Sequence, residues 1–172
     1  LAVALVALAL FGWRQTRAPR PLMSIPLARA RTFWVAFVAG AITFGSLIGA
    51  MFIGQQFTQN VLGYDTLVAA AVVVPSAVCT ALFGQLAGRL VAARGSRVSF
   101  VLGLSSVAAA FAVMLVAWRD GAAIGWVLLA YALVGTGVGL AATPASRSLM
   151  SSVPPARGGM GSAFLDLTRD FG

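Results

Sequence analysis

Long apolar runs without a single charge alternate with short connections, and nearly every arginine falls in every second connection. Arg14, Arg17, Arg20, Arg29 and Arg31 occupy one connection, Arg89, Arg94 and Arg97 another, and Arg147 and Arg157 flank a third. The intervening connections hold only Asp65, or the pair Arg119 and Asp120. Runs of about 20 apolar residues cross a hydrocarbon core, and basic residues concentrate on the cytoplasmic side of the membrane. The pattern therefore specifies a polytopic membrane protein whose arginine-bearing connections are cytoplasmic, which fixes orientation as well as class.

Composition agrees, because 60% hydrophobic and 9% charged residues, with a mean hydropathy of +0.94, leave too little polar surface to coat a water-soluble globule. A net charge of +8 would otherwise suggest nucleic acid. The arginines instead sit beside apolar spans and not along one basic face interleaved with stacking aromatics, so no nucleic-acid partner is expected. Cys79 is the single cysteine and there is no histidine, which excludes an internal disulfide and leaves no set of residues for a metal cluster. No phosphate-cradling glycine loop occurs, so direct energisation by ATP is not expected in this segment. No cofactor and no enzymatic activity are implied.

The spacing predicts four complete membrane spans and two partial ones in an all-α bundle. Residues 1–11 read as the end of a transmembrane helix, too short to cross alone and followed, not preceded, by arginines, unlike a signal peptide. Residues 12–32, with Pro19, Pro21 and Pro26, form a cytoplasmic basic connection. Residues 33–172 form an incomplete bundle with full spans over 33–58, 68–91, 98–118 and 123–150. Phe33 and Trp34 suit the interface, Asp65 suits an N-cap, and Pro75 is tolerated as a kink where neighbours satisfy the freed carbonyl. Arg119, Asp120 and Gly121 suit a tight external turn. A new helix is expected near Gly159, after Pro154 and Pro155. Both ends fall inside helical patterns, so the chain is expected to be part of a longer protein whose remainder covers its open faces. Barrel strands would alternate apolar and polar residues, whereas these runs are continuously apolar.

Small residues at helical spacing bring membrane helices close together. Gly45 and Gly49 are four apart, as are Gly135 and Gly139 with Gly137 between them. The run Gly135, Gly137, Gly139, Ala141, Ala142 and Pro144 predicts a tightly packed, deformable seam between helices.

Three local patterns carry a family resemblance. The stretch Gly88-Arg89-Leu90-Val91-Ala92-Ala93-Arg94-Gly95-Ser96-Arg97 resembles the loop signature of the major facilitator superfamily, with Gly88, Gly95 and Arg97 at the family's spacing. Ala92 and Ala93 stand where the family has an acid and a base, so a charge-paired latch is not implied. The stretch Phe52-Ile53-Gly54-Gln55-Gln56-Phe57-Thr58-Gln59-Asn60-Val61-Leu62-Gly63-Tyr64 resembles the external end of the corresponding span in the 14-helix drug:proton antiporter branch. The stretch Asp166-Leu167-Thr168-Arg169-Asp170-Phe171-Gly172 is similar to the motif opening the penultimate helix of quaternary-ammonium and multidrug efflux members. The resemblance covers the whole chain, from the end of the eighth helix into the thirteenth.

These residues also have a chemistry of their own. Gln55 and Gln59 share a helix face and, with Gln56, present amides either to a substrate path or to water and headgroups at the interface. Asp166, Arg169 and Asp170 also share a face, where Arg169 can neutralise either carboxylate. A charge near the bilayer centre costs about 2.5–3.5 kcal/mol, so this cluster marks either a proton-coupling or gating site, or a structural ion-pair cluster at the cytoplasmic mouth. Tyr131 and Trp126 are candidates to stack on a cation, and Phe33, Phe37 and Phe44 to line an apolar cavity. The resemblance implies a multi-pass plasma-membrane exporter that takes protons and a small-molecule substrate through alternating access, and that the segment alone is inactive. An exporter of a metabolite, lipid or siderophore, and a non-transporting scaffold or sensor, are the other readings open at this point.

Overall fold

The computed structural model describes residues 31–151, together with Asp166 and Asp170. The expected span over 1–11, residues 12–30 of the expected 12–32 connection and, apart from Asp166 and Asp170, the helix expected beyond Gly159 lie outside the described residues. Helix α1 runs Arg31–Gln56 and continues as a wider π turn over Phe57–Val61. Helices α2 (Thr66–Ala71), α3 (Val74–Arg94), α4 (Ser96–Ala117) and α5 (Ile124–Ser151) follow, and the described residues contain no strand. Four stretches among the described residues are long and apolar enough to cross a membrane, α2 and α3 together forming the second of them.

Local chemistry explains each boundary. The Asp65 side chain accepts a hydrogen bond from the Val68 N–H at 2.8 Å and caps α2, satisfying a donor that a helix start leaves free. The second span is not one kinked helix but two, interrupted at Val72 and Val73. Pro75 has no N–H to return to Ala71, and the Ser76 N–H and hydroxyl both turn to the Val73 carbonyl, at 3.0 and 2.8 Å. The expected cytoplasmic connection from Gly88 to Arg97 shrinks to Gly95 alone, because α3 continues through Arg94 and α4 starts at Ser96. No residue between Gly88 and Gly95 breaks a helix, whereas Gly95 has φ 82° and ψ 164°, a conformation essentially restricted to glycine. At the other end, Gly121 at φ 73° closes the turn in which the Ala122 N–H meets the Arg119 carbonyl at 2.9 Å.

Helix α5 is the axis of the bundle. Of its membrane-length stretch 56% is buried, against 22%, 17% and 22% for the first, second and third spans. Its three central glycines, Gly135, Gly137 and Gly139, divide between two neighbours. A Cβ on Gly135 would collide with the backbone of Ser76, and one on Gly139 would lie 2.8 Å from the Thr80 carbonyl oxygen, both on α3. A Cβ on Gly137 would lie 2.7 Å from the Gly103 carbonyl oxygen on α4, and one on Gly103 would lie 2.8 Å from the Gly137 oxygen. Backbone thus meets backbone on both flanks, which only residues without side chains allow.

Hydroxyls fasten the same two seams. Thr80 Oγ1 of α3 donates to the Gly135 carbonyl (3.1 Å), and Thr143 Oγ1 of α5 donates to the Gly84 carbonyl (3.3 Å). On the other flank Ser99 and Ser106 of α4 donate to the carbonyls of Leu140 (2.6 Å) and Leu133 (2.8 Å). These pairings run α3 parallel and α4 antiparallel to α5, as consecutive spans require. Helix α1 packs on α5 through Ala50, which joins Ala130, Val134 and Val138 of α5 and Ala110 and Met114 of α4 in one apolar cluster.

Because the glycine contacts are with rigid backbone, Gly137→Val is expected to destabilise the bundle by about 1–3 kcal/mol through overpacking. Gly125→Ala, on the same helix but with nothing within 4 Å of a new Cβ, is the matched control. Detergent-solubilised yield by fluorescence-detected size-exclusion chromatography checks both; equal yields would refute a rigid seam.

Candidate functional site

At its C-terminal end, which the arginine pattern predicts to be external, α1 has two faces of opposite character. Ala50, Gly54 and Thr58 recur every fourth residue and are buried. Thr58 returns its hydroxyl to the Gly54 carbonyl at 2.7 Å, so no polar group is left open on that side. The opposite face carries Ile48, Met51, Phe52, Gln55, Gln56 and Gln59, which line an open groove of about 490 Å³. The structure brings all three glutamines together here, with the hydrocarbon residues earlier along the helix and the amides toward its C-terminal end. Gln56 Oε1 accepts from Asn60 Nδ2, and the side chains of Gln55 and Gln59 make no hydrogen bond among the described residues.

The π turn lies at the mouth of this groove. Leu62 N–H reaches back five residues to the Phe57 carbonyl at 3.1 Å, and Tyr64 N–H reaches Thr58 at 3.1 Å. Single π turns inside α-helices are often found at functional sites. Here it displaces Gln59 and Asn60 from the plain α-helical continuation of Gln55 and Gln56. On the inner side of the turn the Phe57 ring stacks on Trp118 at 4.8 Å and 12°. An unpaired amide in hydrocarbon costs several kcal/mol, about 2–7 depending on reference state. The glutamine face is therefore suited to water, to protein or to a polar solute, and not to lipid tails.

Tyr131 is placed differently from the glutamines. It is fully buried, its ring lies against Gly54, and its hydroxyl donates toward the carbonyls of Met51 and Ala50 at 3.3 and 3.4 Å. It joins α5 to α1 and has no surface on the groove. Trp126 is 48% exposed at the start of α5, and Trp34 packs edge-on against Phe37 at 5.9 Å; the side chain of Phe33 lies outside the described residues.

Gly88 lies inside α3, Gly95 is the whole connection, and Arg97 sits in the first turn of α4. Arg89, Arg94, Arg97 and Arg147 are all exposed. Asp166 and Asp170 are helical and exposed, while Arg169, the third member of that cluster, lies outside the described residues. Gly135, Gly137 and Gly139 occupy the two backbone seams, and Pro144 is buried inside α5.

Several residues that organise this region do not stand out in the sequence reading above. Ser99, Ser106, Thr80 and Thr143 hold the seams, Gly54 makes room for Tyr131, and Gly103 faces Gly137. A signal was present: a hydroxyl in a span with no other polar group must find a partner, either on its own helix or across a contact. Trp118 closes the C-terminal end of α4, and its indole Nε1 is buried without a hydrogen-bond partner among the described residues.

The chain matches the Major Facilitator Superfamily along residues 1–172. It is 31% identical over 169 residues to the multidrug resistance protein Stp of Mycobacterium tuberculosis, an alignment covering 98% of this chain and 31% of that protein. It is 29% identical over 171 residues to the multidrug efflux pump LfrA of Mycolicibacterium smegmatis, covering 99% of this chain and 34% of the relative. The lincomycin resistance protein LmrB of Listeria monocytogenes is 26% identical over 151 residues, with 87% and 32% covered. The chain thus spans about a third of the length of these relatives. No solved structure matches it. A family match over every residue, on a bundle with four membrane-length stretches among the described residues around a glycine-bearing axis, makes this chain a multi-pass membrane protein of the Major Facilitator Superfamily.

Proposed function

We propose that the protein to which this chain belongs is a proton-coupled exporter of lipophilic or cationic drugs in the plasma membrane, of the 14-helix branch, and not an enzyme. The observation that carries this reading is similarity over nearly the whole chain to proteins named for multidrug resistance and efflux. The glutamine-lined groove supports it, because a membrane helix whose open face bears amides is fit to line a path that water and a polar or amphipathic solute can enter. In this reading Gln55, Gln56 and Gln59 stand along the external part of the path, and the remainder of the polypeptide supplies the opposing wall.

Coupling is assigned to the Asp166, Arg169 and Asp170 cluster. A carboxylate in a transport path takes a proton from one side and releases it on the other, and a cationic solute competes for the same negative charge. Asp166 is the first candidate for that exchange and Asp170 the second, with Arg169 as the cation that balances them. Gly95 forms the cytoplasmic turn, with Gly88 on the helix before it and Arg97 on the helix after it, and the Gly135, Gly137, Gly139 and Pro144 stretch is the seam along which helices shift between access states.

Inverted membrane vesicles containing the full-length protein test this. An imposed proton gradient is expected to drive ethidium uptake, and Asp166→Asn is expected to reduce the gradient-driven component by about tenfold or more, the size of effect an intramembrane coupling charge commands. Gradient-driven uptake unchanged in Asp166→Asn removes the coupling role and leaves the cluster as a structural ion pair. No uptake by the unaltered protein removes the drug-export reading itself.

A further inference from the structure

Pro144 is buried in the interior of α5, and the helix continues on both sides of it, from Ile124 to Ser151. Proline has no N–H, so the carbonyl four residues earlier loses its intrahelical donor. That carbonyl belongs to Leu140. It is also the acceptor of the shortest interhelical hydrogen bond among those described above, donated by Ser99 Oγ of α4 at 2.6 Å. Ser99 is fully buried, and no water is needed to complete the pair.

The surrounding packing explains how so short a side chain reaches another helix's backbone. One turn beyond Ser99, Gly103 presses on α5 so closely that a Cβ there would lie 2.9 Å from both the backbone nitrogen and the Cβ of Ala141. The two helices are therefore in close contact within one turn of the carbonyl that is missing its donor. The second hydroxyl on this flank behaves differently. Ser106 donates to the Leu133 carbonyl at 2.8 Å, but the residue four beyond Leu133 is Gly137, which retains its N–H. Ser106 adds a bond to a carbonyl that has a helical partner, whereas Ser99 stands in for one that proline removed.

We infer that Ser99 is the substitute donor for the Pro144 break and a positioning residue that ties the cytoplasmic end of α5, from Pro144 onward, to α4. An unpaired buried carbonyl is costly, more so in a bilayer, where no water replaces the missing donor. Without Ser99, α5 has a backbone acceptor open at the one point where its own ladder is interrupted. The consequence for transport rests on the export function proposed above; the pairing itself does not.

A double-mutant comparison in the full-length protein separates the two. Ser99→Ala, Pro144→Ala, Ser106→Ala and the combinations of each serine variant with Pro144→Ala are compared by thermal unfolding in detergent and by folded yield. Alanine at 144 returns an N–H to the Leu140 carbonyl, so Ser99→Ala is expected to lower the unfolding temperature by several degrees in the native background and by much less beside Pro144→Ala. Ser106→Ala is expected to have the same effect in both backgrounds. If Ser99→Ala alone is too unstable to purify, recovery of yield in the double variant supports the pairing and failure to recover overturns it. Equal losses from Ser99→Ala in both backgrounds overturn it as well. In vesicles, Ser99→Ala is expected to slow ethidium turnover by about threefold or more with the apparent KM kept, an estimate from the loss of one buried hydrogen bond; unchanged turnover overturns the positioning role while leaving the pairing to the unfolding data.

Discussion

Close backbone approach along α5 is the constraint on which the rest of the bundle depends. In a bilayer the lipid tails are as apolar as the side chains, so helices gain little from burying leucine against leucine and must gain from contact and hydrogen bonding. Gly135 and Gly139 bring α3 in from one side and Gly137 with Gly103 bring α4 in from the other. Only at that separation do Thr80, Thr143, Ser99 and Ser106 reach carbonyls on the facing helix. The glycines and the hydroxyls are therefore one device. The first supply distance, and the second supply the directional bond that fixes register.

The same device accommodates the two prolines. Each span with an internal proline gives up a backbone pairing, which hydrocarbon does not repair. Pro75 ends the helical ladder at Val72 and Val73, and Ser76 gathers its own N–H and hydroxyl onto the Val73 carbonyl, at the point where Gly135 lies against its backbone. Pro144 leaves the Leu140 carbonyl to Ser99. Both interruptions lie against a flank of the α5 seam, where another helix is close enough to support them. A bundle built in this way holds together at its weak points through neighbours, which suits helices that shift relative to one another.

How much of this was legible depends on the scale of the signal. Span number and order follow from the length of the charge-free runs, and the Asp65 cap and the Arg119 to Gly121 turn follow from local residue chemistry. The Gly88 to Arg97 stretch reads as a loop because its arginines suggest exposure, yet exposure at a membrane edge does not interrupt a helix, and only Gly95 with its positive φ does. The break at Val72 and Val73 was legible as a proline effect but not in its extent, since whether proline bends or divides a helix is decided by what packs against it. For the candidate site, the shared face of Gln55 and Gln59 follows from helical spacing. The burial of Tyr131 does not, because an aromatic with a hydroxyl suits a cavity and a helix contact equally until Gly54 is seen to make room for it. The hydroxyl pairings were beyond reach for the same reason: a serine in an apolar run announces that it needs a partner without saying which helix holds it.

The account turns on α1 having one face committed to protein and one to a water-accessible path. Thiol accessibility in the full-length protein measures this directly, with Cys79→Ser as the background and cysteines placed singly at Gln55, Gln59, Thr58 and Leu115. The thiolate is the reactive form, and it forms where water reaches. Cysteines at Gln55 and Gln59 are expected to react from outside with a membrane-impermeant maleimide, and to be protected by excess ethidium. Those at Thr58, fully buried, and Leu115, 84% exposed on an apolar span, are expected to stay unlabelled. Labelling at Leu115 or Thr58 with none at Gln55 and Gln59 would contradict the account, because the amide face would then lie away from the aqueous path.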